Sequence, residues 1–258
     1  MNKYPATEKY DPNWICENWM GPNPLWVLEE LCKNLDLHPG MKVLDMGCGK
    51  GLTSVFLAKE YGVTVFAGDL WIPATENLRR FEEAGVADLV YPIHAEAHAL
   101  PYAEWFFDAA VSIDSYHYYG ADEYYFPCIY SKLVKPGGQF GIVCPGYKKE
   151  FEKGHPDAVI ALIAGLKAKY GDAEWGDDMF TFHSKDWWRR LWKKTGISEI
   201  TACYDMENTK AIWEPYAKWE KEHSGDSTDE EFLNADMEDD VRFIVMTAVK
   251  KAMAKPAE

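Results

Sequence analysis

A chain of 258 residues, 47% hydrophobic and 15% aromatic, has room for one substantial α/β domain with embellishments and enough apolar side chain for a packed core. Its formal net charge of −15 argues against DNA or RNA as a partner, because like charge repels a phosphate backbone, and favours small neutral or cationic molecules. No run approaches the roughly 18 apolar residues of a membrane span, and Met1-Asn2-Lys3-Tyr4-Pro5 lacks the basic and apolar regions of a signal peptide, so a cytoplasmic protein is expected.

Residues 1–40 set Tyr10, Trp14, Trp19 and Trp26 among prolines and predict one helix, at about Pro24–Asn34, in an aromatic cap segment. From residue 41 to 251 strand and helix signals alternate. Strands are predicted at about Lys42–Asp45, Thr64–Gly68, Leu89–Ile93, Ala109–Ile113, Gln139–Cys144, Ser198–Tyr204 and Arg242–Lys250. The connecting helices are placed at about Thr53–Tyr61, Ile72–Glu83, Glu123–Leu133 and Asp186–Lys194. This alternation reads as an α/β fold, a doubly wound and mostly parallel sheet of seven strands with helices on both faces.

Two insertions interrupt the pattern. Residues 145–185 carry a helical stretch, about Pro156–Tyr170, and an aromatic and acidic run that could cover a ligand cleft. The second spans 207–240. Within it, residues 214–240 hold 11 Asp or Glu against two Lys, read as solvated surface or a mobile loop. Cys16, Cys32, Cys48, Cys128, Cys144 and Cys203 form no C-x-x-C pair and no metal-ligand spacing, so reduced cysteines and no metal site are expected.

The most informative stretch is Val43-Leu44-Asp45-Met46-Gly47-Cys48-Gly49-Lys50-Gly51. A buried strand runs into three glycines at alternate positions and then a helix. Glycine has no Cβ and tolerates positive φ, so a ligand can approach the backbone, and the exposed N–H groups at the helix start favour a negative group. The dinucleotide fingerprint G-x-G-x-x-G would need a glycine where Leu52 stands. The D-x-G-x-G-x-G spacing instead resembles motif I of the class I S-adenosylmethionine-dependent methyltransferases. The resemblance covers about Leu37–Lys251 and is densest between Val43 and Gly141; overall the chain looks like a bacterial small-molecule methyltransferase.

That resemblance implies the class I methyltransferase fold, S-adenosylmethionine as cofactor and a small-molecule methyl acceptor. It implies cofactor contacts from Asp45, Gly47, Cys48, Gly49 and Gly51. Asp69, 22 residues after Gly47 at the end of the second strand, would accept from the ribose hydroxyls, with Leu70 or Trp71 against the adenine. Glu96-Ala97-His98-Ala99-Leu100-Pro101-Tyr102 resembles the family's D-A-x-x-L-P-F segment, which makes Glu96 and Ala97 the adenine-edge contacts. Phe107–Asp114 resembles its F-D-x-V-x-S strand, which brings Ile113 to the cofactor. Asp108, at the strand's start, is read as structural.

Beyond that strand lie Asp114, Ser115, Tyr116, His117 and Tyr118, the densest polar and aromatic cluster of the chain. His117 is the candidate base, since an imidazole changes protonation near neutral pH, or else a hydrogen-bonding wall of the pocket, and Asp114 is a candidate partner for the sulfonium or a substrate amine. Tyr10, Trp14, Tyr116, Tyr118 and Tyr147 are the candidates to hold an acceptor by stacking or cation–π contact. Ser112–Gly120 also resembles the S-I-x-x-F-E-H-x-G segment of cyclopropane-fatty-acid-synthase-like enzymes, with His117 in place of the glutamate and Tyr118 in place of the histidine. A non-catalytic S-adenosylmethionine-binding protein is the remaining alternative. The acceptor atom and the oligomeric state, monomer or homo-oligomer, stay open.

Overall fold

The computed structural model describes residues 3–150, 160, 164, 181–236 and 239–252. Seven strands form one sheet: β1 (Lys42–Met46), β2 (Thr64–Asp69), β3 (Val90–His94), β4 (Phe107–Ile113), β5 (Val134–Tyr147), β6 (Ser198–Asp205) and β7 (Val241–Lys250), in the order β3-β2-β1-β4-β5-β7-β6. Strands β1 to β5 are parallel, and β7 runs antiparallel between β5 and β6. The chain winds outward from β1 to β3, then returns to place β4 on the other side of β1. That reversal opens a crevice beyond the carboxyl ends of β1 and β4, where doubly wound sheets bind ligands.

Neighbouring residues of a strand face opposite sides, so each strand feeds two cores. Val43, Val111 and Val245 join Leu28, Leu31 and Phe56 on one face, whereas Leu44, Ala110 and Met246 join Tyr116, Tyr130, Trp188 and Trp192 on the other. Both faces are covered, which is why β1 and β4 read as near-continuous apolar runs instead of alternating ones. The helix Pro24–Cys32 begins where Asn23 Oδ1 accepts the Leu25 N–H at 3.1 Å, with proline at its first position. The helix Leu52–Tyr61 is bracketed by Gly51 and Gly62, both left-handed.

Several elements differ from the sequence expectation. A helix at Pro12–Glu17, capped by Asp11, was not foreseen. The helix predicted from Ile72 starts at Ala74, because Asp69 takes the Trp71 and Ile72 N–H groups into a turn before Pro73. The helix expected over Glu123–Leu133 is a π-type turn, Phe126–Tyr130, followed by Ser131–Leu133; Pro127 lacks the N–H a regular helix would use there. The helix expected at Pro156–Tyr170 lies, apart from Ile160 and Ala164, outside the described residues.

Of the two readings of the acidic 214–240 stretch, surface and mobile loop, its described residues follow the first: most of its carboxylates are at the surface, on helices and not in a loop. The 207–240 segment forms the helices Thr209–Ser224 and Thr228–Ala235, which bury Ile212, Trp213, Tyr216, Phe232 and Leu233 against the sheet. The carboxylates crowd the sequence because they occupy the polar faces of two amphipathic helices. Among the described residues, no helix is long and apolar enough to cross a membrane.

Gly51 shows how tightly the first crossover is packed. Its φ is 84°, and an added Cβ would enter the ring of the fully buried Phe81. Gly51→Ala should therefore cost about 2–4 kcal/mol, backbone strain and overpacking together. Gly196→Ala, at φ 68° with open space beside it, should cost only about 1–2 kcal/mol in urea unfolding.

Candidate functional site

The crevice at the strand reversal contains a cavity of about 280 Å³. One wall is the loop after β1. Gly47, Gly49 and Gly51 all have positive φ, and the N–H groups of Gly47 and Cys48 both donate to the Gly68 carbonyl, at 2.8 and 3.1 Å. The loop is fastened from two more directions. Gly49 N–H donates to Asp69 Oδ2 at 2.8 Å, and the buried Asn77 donates from Nδ2 to the Gly49 carbonyl at 2.8 Å. A Cβ on Gly47 would collide with Ser115, whereas a Cβ on Gly49 would meet only the Met20 sulfur, at 3.0 Å. Gly47 thus permits the approach of the loop after β4, and Gly49 keeps the cavity face of the loop bare.

Of the residues assigned to the cofactor, Gly47, Cys48, Gly49, Asp69, Leu70, Trp71, Glu96, Ala97 and Ile113 all stand in the cavity wall. Asp69 is also a loop organiser, since its Oδ1 accepts from Trp71 and Ile72 N–H at 2.8 and 2.9 Å. Leu70 and Trp71 are half-exposed at the rim. Glu96 receives the His98 N–H at 2.9 Å and pairs with His98 Nδ1 at 2.6 Å; His98, absent from the sequence assignment, is itself in the wall.

Two cofactor assignments are corrected. Asp45 lies beneath the wall, completely buried, with Oδ2 accepting from Thr53 and Ser54 hydroxyls at 2.6 Å each. Burial pushes its pKa up to about 6 despite those bonds, and its work is to tie β1 to the start of the following helix. Gly51 turns its Cα toward Phe81 and not toward the cavity.

The cavity is also lined by Asp114, Ser115, Tyr118 and Tyr119 after β4 and by Asn18, Met20, Gly21 and Pro22, with Gly21 against Asp114. Tyr119 fixes the geometry: its hydroxyl bonds Ser112 Oγ at 2.8 Å and donates to the Met46 carbonyl at 3.2 Å, bridging β4 and β1. The Asn18–Pro22 loop was missed in sequence, although Gly21-Pro22-Asn23-Pro24 is a turn-and-cap signature that marks it as a loop.

Most of the acceptor-side assignments are displaced. Tyr10 stacks on Trp14 with centroids 6.0 Å apart and packs on Phe56, so both aromatics sit on the outside of the helix Leu52–Tyr61. Tyr116 is fully buried among Trp188, Trp192, Tyr125 and Tyr130. Tyr147 is buried against Phe182. Tyr118 alone of these candidates reaches the wall, with its ring 5.8 Å from that of Trp71.

His117 is buried behind the wall, between Tyr118 and Phe182. Burial away from water drives its pKa down to about 3, which leaves the imidazole a weak base, and it does not line the cavity, so the structure does not place it where the expected base would act. Asp114 is in the wall. Burial, and then the negative charge of Asp229, push its pKa up to about 8. Glu220 is raised to about 7 by the same two causes. Among the described residues no group of His, Cys, Asp and Glu could hold a metal ion.

Residues 43–138 match the family model described as "Methyltransferase domain". A sterol methyltransferase-like protein of Botryococcus braunii is 28% identical over 234 residues, covering 84% of this chain and 55% of that protein. Methyltransferase GfsG of Streptomyces halstedii is 34% identical over 118 residues, 45% of this chain and 42% of that protein. The chain thus spans about half the length of the curated relatives it matches. A phosphoethanolamine N-methyltransferase of Haemonchus contortus superposes with a TM-score of 0.71 at 18% identity, over 97% of this chain and 58% of that one, and shares its fold.

The buried titratable groups make a pH prediction. Asp45, Asp229, Glu220 and Asp114 have folded pKa values above their unfolded ones, so the stability they contribute is fully present below about pH 4 and is lost as pH rises through about 6 to 8. His117 has a folded pKa below its unfolded value, so its contribution grows as pH rises toward about 6.5. The four carboxyls outweigh the one imidazole, and the melting temperature of the ligand-free protein should fall from about pH 5 to pH 8. Asp114→Asn should flatten the alkaline limb in a thermal scan, and a profile rising steadily to pH 8 would contradict the assignment.

Proposed function

We propose that this chain, which carries a class I methyltransferase domain, transfers a methyl group from S-adenosylmethionine to a small-molecule acceptor. The observation that carries the reading is one cavity lined by two chemically different sets of residues. One is the glycine loop, the Asp69 carboxylate, Glu96 and the hydrophobic rim of Leu70 and Trp71; the other is Asp114, Ser115, Tyr118 and Tyr119. Asp69 retains about one of the roughly four acceptor positions of a carboxylate after its three N–H partners, enough for a ribose hydroxyl. Gly49 leaves room for a ligand backbone at the loop, and Leu70 or Trp71 can lie along an adenine face.

The cofactor supplies a methyl group already activated on a sulfonium. The protein's part is alignment and exclusion of water. Tyr119, held by Ser112 and by the Met46 carbonyl, fixes the separation of the two strand ends that flank the reacting atoms. Met20 and Gly21 close the cavity from the amino-terminal segment.

Titration calorimetry tests the donor side. S-adenosylmethionine should bind and NADH should not. Asp69→Ala should weaken binding by about 1.5–3 kcal/mol, the range for hydrogen bonds to a charged group. Undiminished affinity in a folded Asp69→Ala protein would place the ribose elsewhere. Incubation of a metabolite extract with methyl-labelled S-adenosylmethionine, read by mass spectrometry, should show label in a small product.

A further inference from the structure

Every carboxylate around the cavity but one has a partner supplied by the protein. Asp45 has two hydroxyls, Asp69 three N–H groups and Glu96 the His98 side chain and backbone. Asp114 lines the cavity, and among the described residues its side chain makes no hydrogen bond and no ion pair. Lys50 is in the same wall, yet its Nζ donates to the Glu17 carbonyl at 3.1 Å. The loop opposite comes close to Asp114 without offering it a side chain, which only glycine allows: a Cβ on Gly21 would stand 2.5 Å from Asp114 Oδ2. Behind Asp114, Asp229 adds negative potential instead of cancelling it, since its own partner is the neutral Trp213 N–H at 2.9 Å.

Burial holds Asp114 largely protonated in the ligand-free protein, and ionising it in a largely apolar wall is costly unless a ligand brings the opposite charge. A neutral alcohol or thiol would leave that cost in place. A cation with aliphatic substituents would relieve it, and the largely apolar wall suits its substituents. Resting on the methyl-transfer reading above, we propose that the acceptor is an aliphatic amine that enters as its ammonium ion and donates N–H to Asp114.

The chemistry balances through the same residue. Asp114 accepts one proton from the ammonium, which leaves a nitrogen lone pair; a carboxyl whose pKa is raised toward 8 is suited to hold it. The nitrogen forms the new N–C bond as the S–C bond breaks and its electron pair stays on sulfur, giving S-adenosylhomocysteine. The product leaves as a methylated ammonium, and Asp114 returns its proton to solvent. Asp114 is in left-handed backbone, φ 52°, which asparagine adopts readily, so Asp114→Asn removes the charge with little strain.

The test uses the protein saturated with S-adenosylhomocysteine, which has no sulfonium charge. By calorimetry the wild type should bind tert-butylammonium in preference to tert-butanol. Asp114→Asn should lose about tenfold or more of that affinity while holding S-adenosylhomocysteine unchanged, and Asp114→Glu should restore part of it. Equal tert-butylammonium binding by wild type and Asp114→Asn, or none by the wild type, overturns the proposal. So does an Asn variant weakened for S-adenosylmethionine alone, which would assign the carboxylate to the sulfonium. Failure of the wild type to bind S-adenosylhomocysteine at all would instead remove the methyl-donor reading on which this one rests. Should the Asn variant not fold, the preference of the wild type for the cation over tert-butanol still decides.

Discussion

The cavity depends on one carboxylate. Asp69 sits at the last residue of β2 and gathers N–H groups from two separate loops, Gly49 on one side and Trp71 and Ile72 on the other. A helix start exposes N–H groups with no intrahelical acceptor, and a glycine-rich turn does the same. Without Asp69 these donors would point into the cavity unpaired and the two loops would have no common anchor. The strand reversal between β1 and β4 opens the crevice; Asp69, with Asn77 holding the Gly49 carbonyl, gives the crevice a fixed wall. A ligand that uses Asp69 therefore meets a group already oriented by the protein, and little has to be ordered on binding.

The same economy explains the inner carboxyls. Asp45 takes no part in the wall but fastens β1 to the helix that follows, at the cost of a pKa raised by burial. The carboxyl-terminal helices bring Glu220 and Asp229 toward the acceptor end, and Tyr216 and Trp219 pack on Trp19. Trp19 precedes the Met20–Pro22 stretch that closes the cavity. Hence the amino-terminal cap and the acidic helices, far apart in sequence, form one structural unit over the site.

Much of the fold was legible in residues. Val43-Leu44 and Ala109–Ile113 read as buried strands because both faces of a parallel sheet are covered, and Asp69 stood where a βαβ unit must end. That register brings Gly47, Asp69 and Ile113 into one cavity wall, since backbone spacing alone fixes which residues emerge at a strand's carboxyl end. It does not fix the aromatic candidates. Tyr10, Trp14, Tyr116 and Tyr147 are aromatic for packing, and composition cannot separate a ring that lines a cavity from one that fills a core. His117 failed for a related reason. Three consecutive residues after β4 point in different directions once Tyr116 is fixed in the aromatic core, and the pattern does not say which one faces solvent.

The two acidic helices show the limit from the other side. Counting charge over residues 214–240 suggested solvated surface or a mobile loop without choosing between them, yet the apolar members at Ile212, Trp213, Tyr216, Phe232 and Leu233 recur at helical spacing and seat the segment on the sheet. Net charge is a property of the solvent face, and periodicity a property of the buried one; they are independent, and the second decides whether a segment folds. Once the helices are seated, their charge stops being mere solubility. It reaches through Asp229 to Asp114, where the field of one surface helix raises the proton affinity of a group inside the cavity. The acidity that first argued against a polyanionic partner thus acts at short range on the chemistry of the site itself.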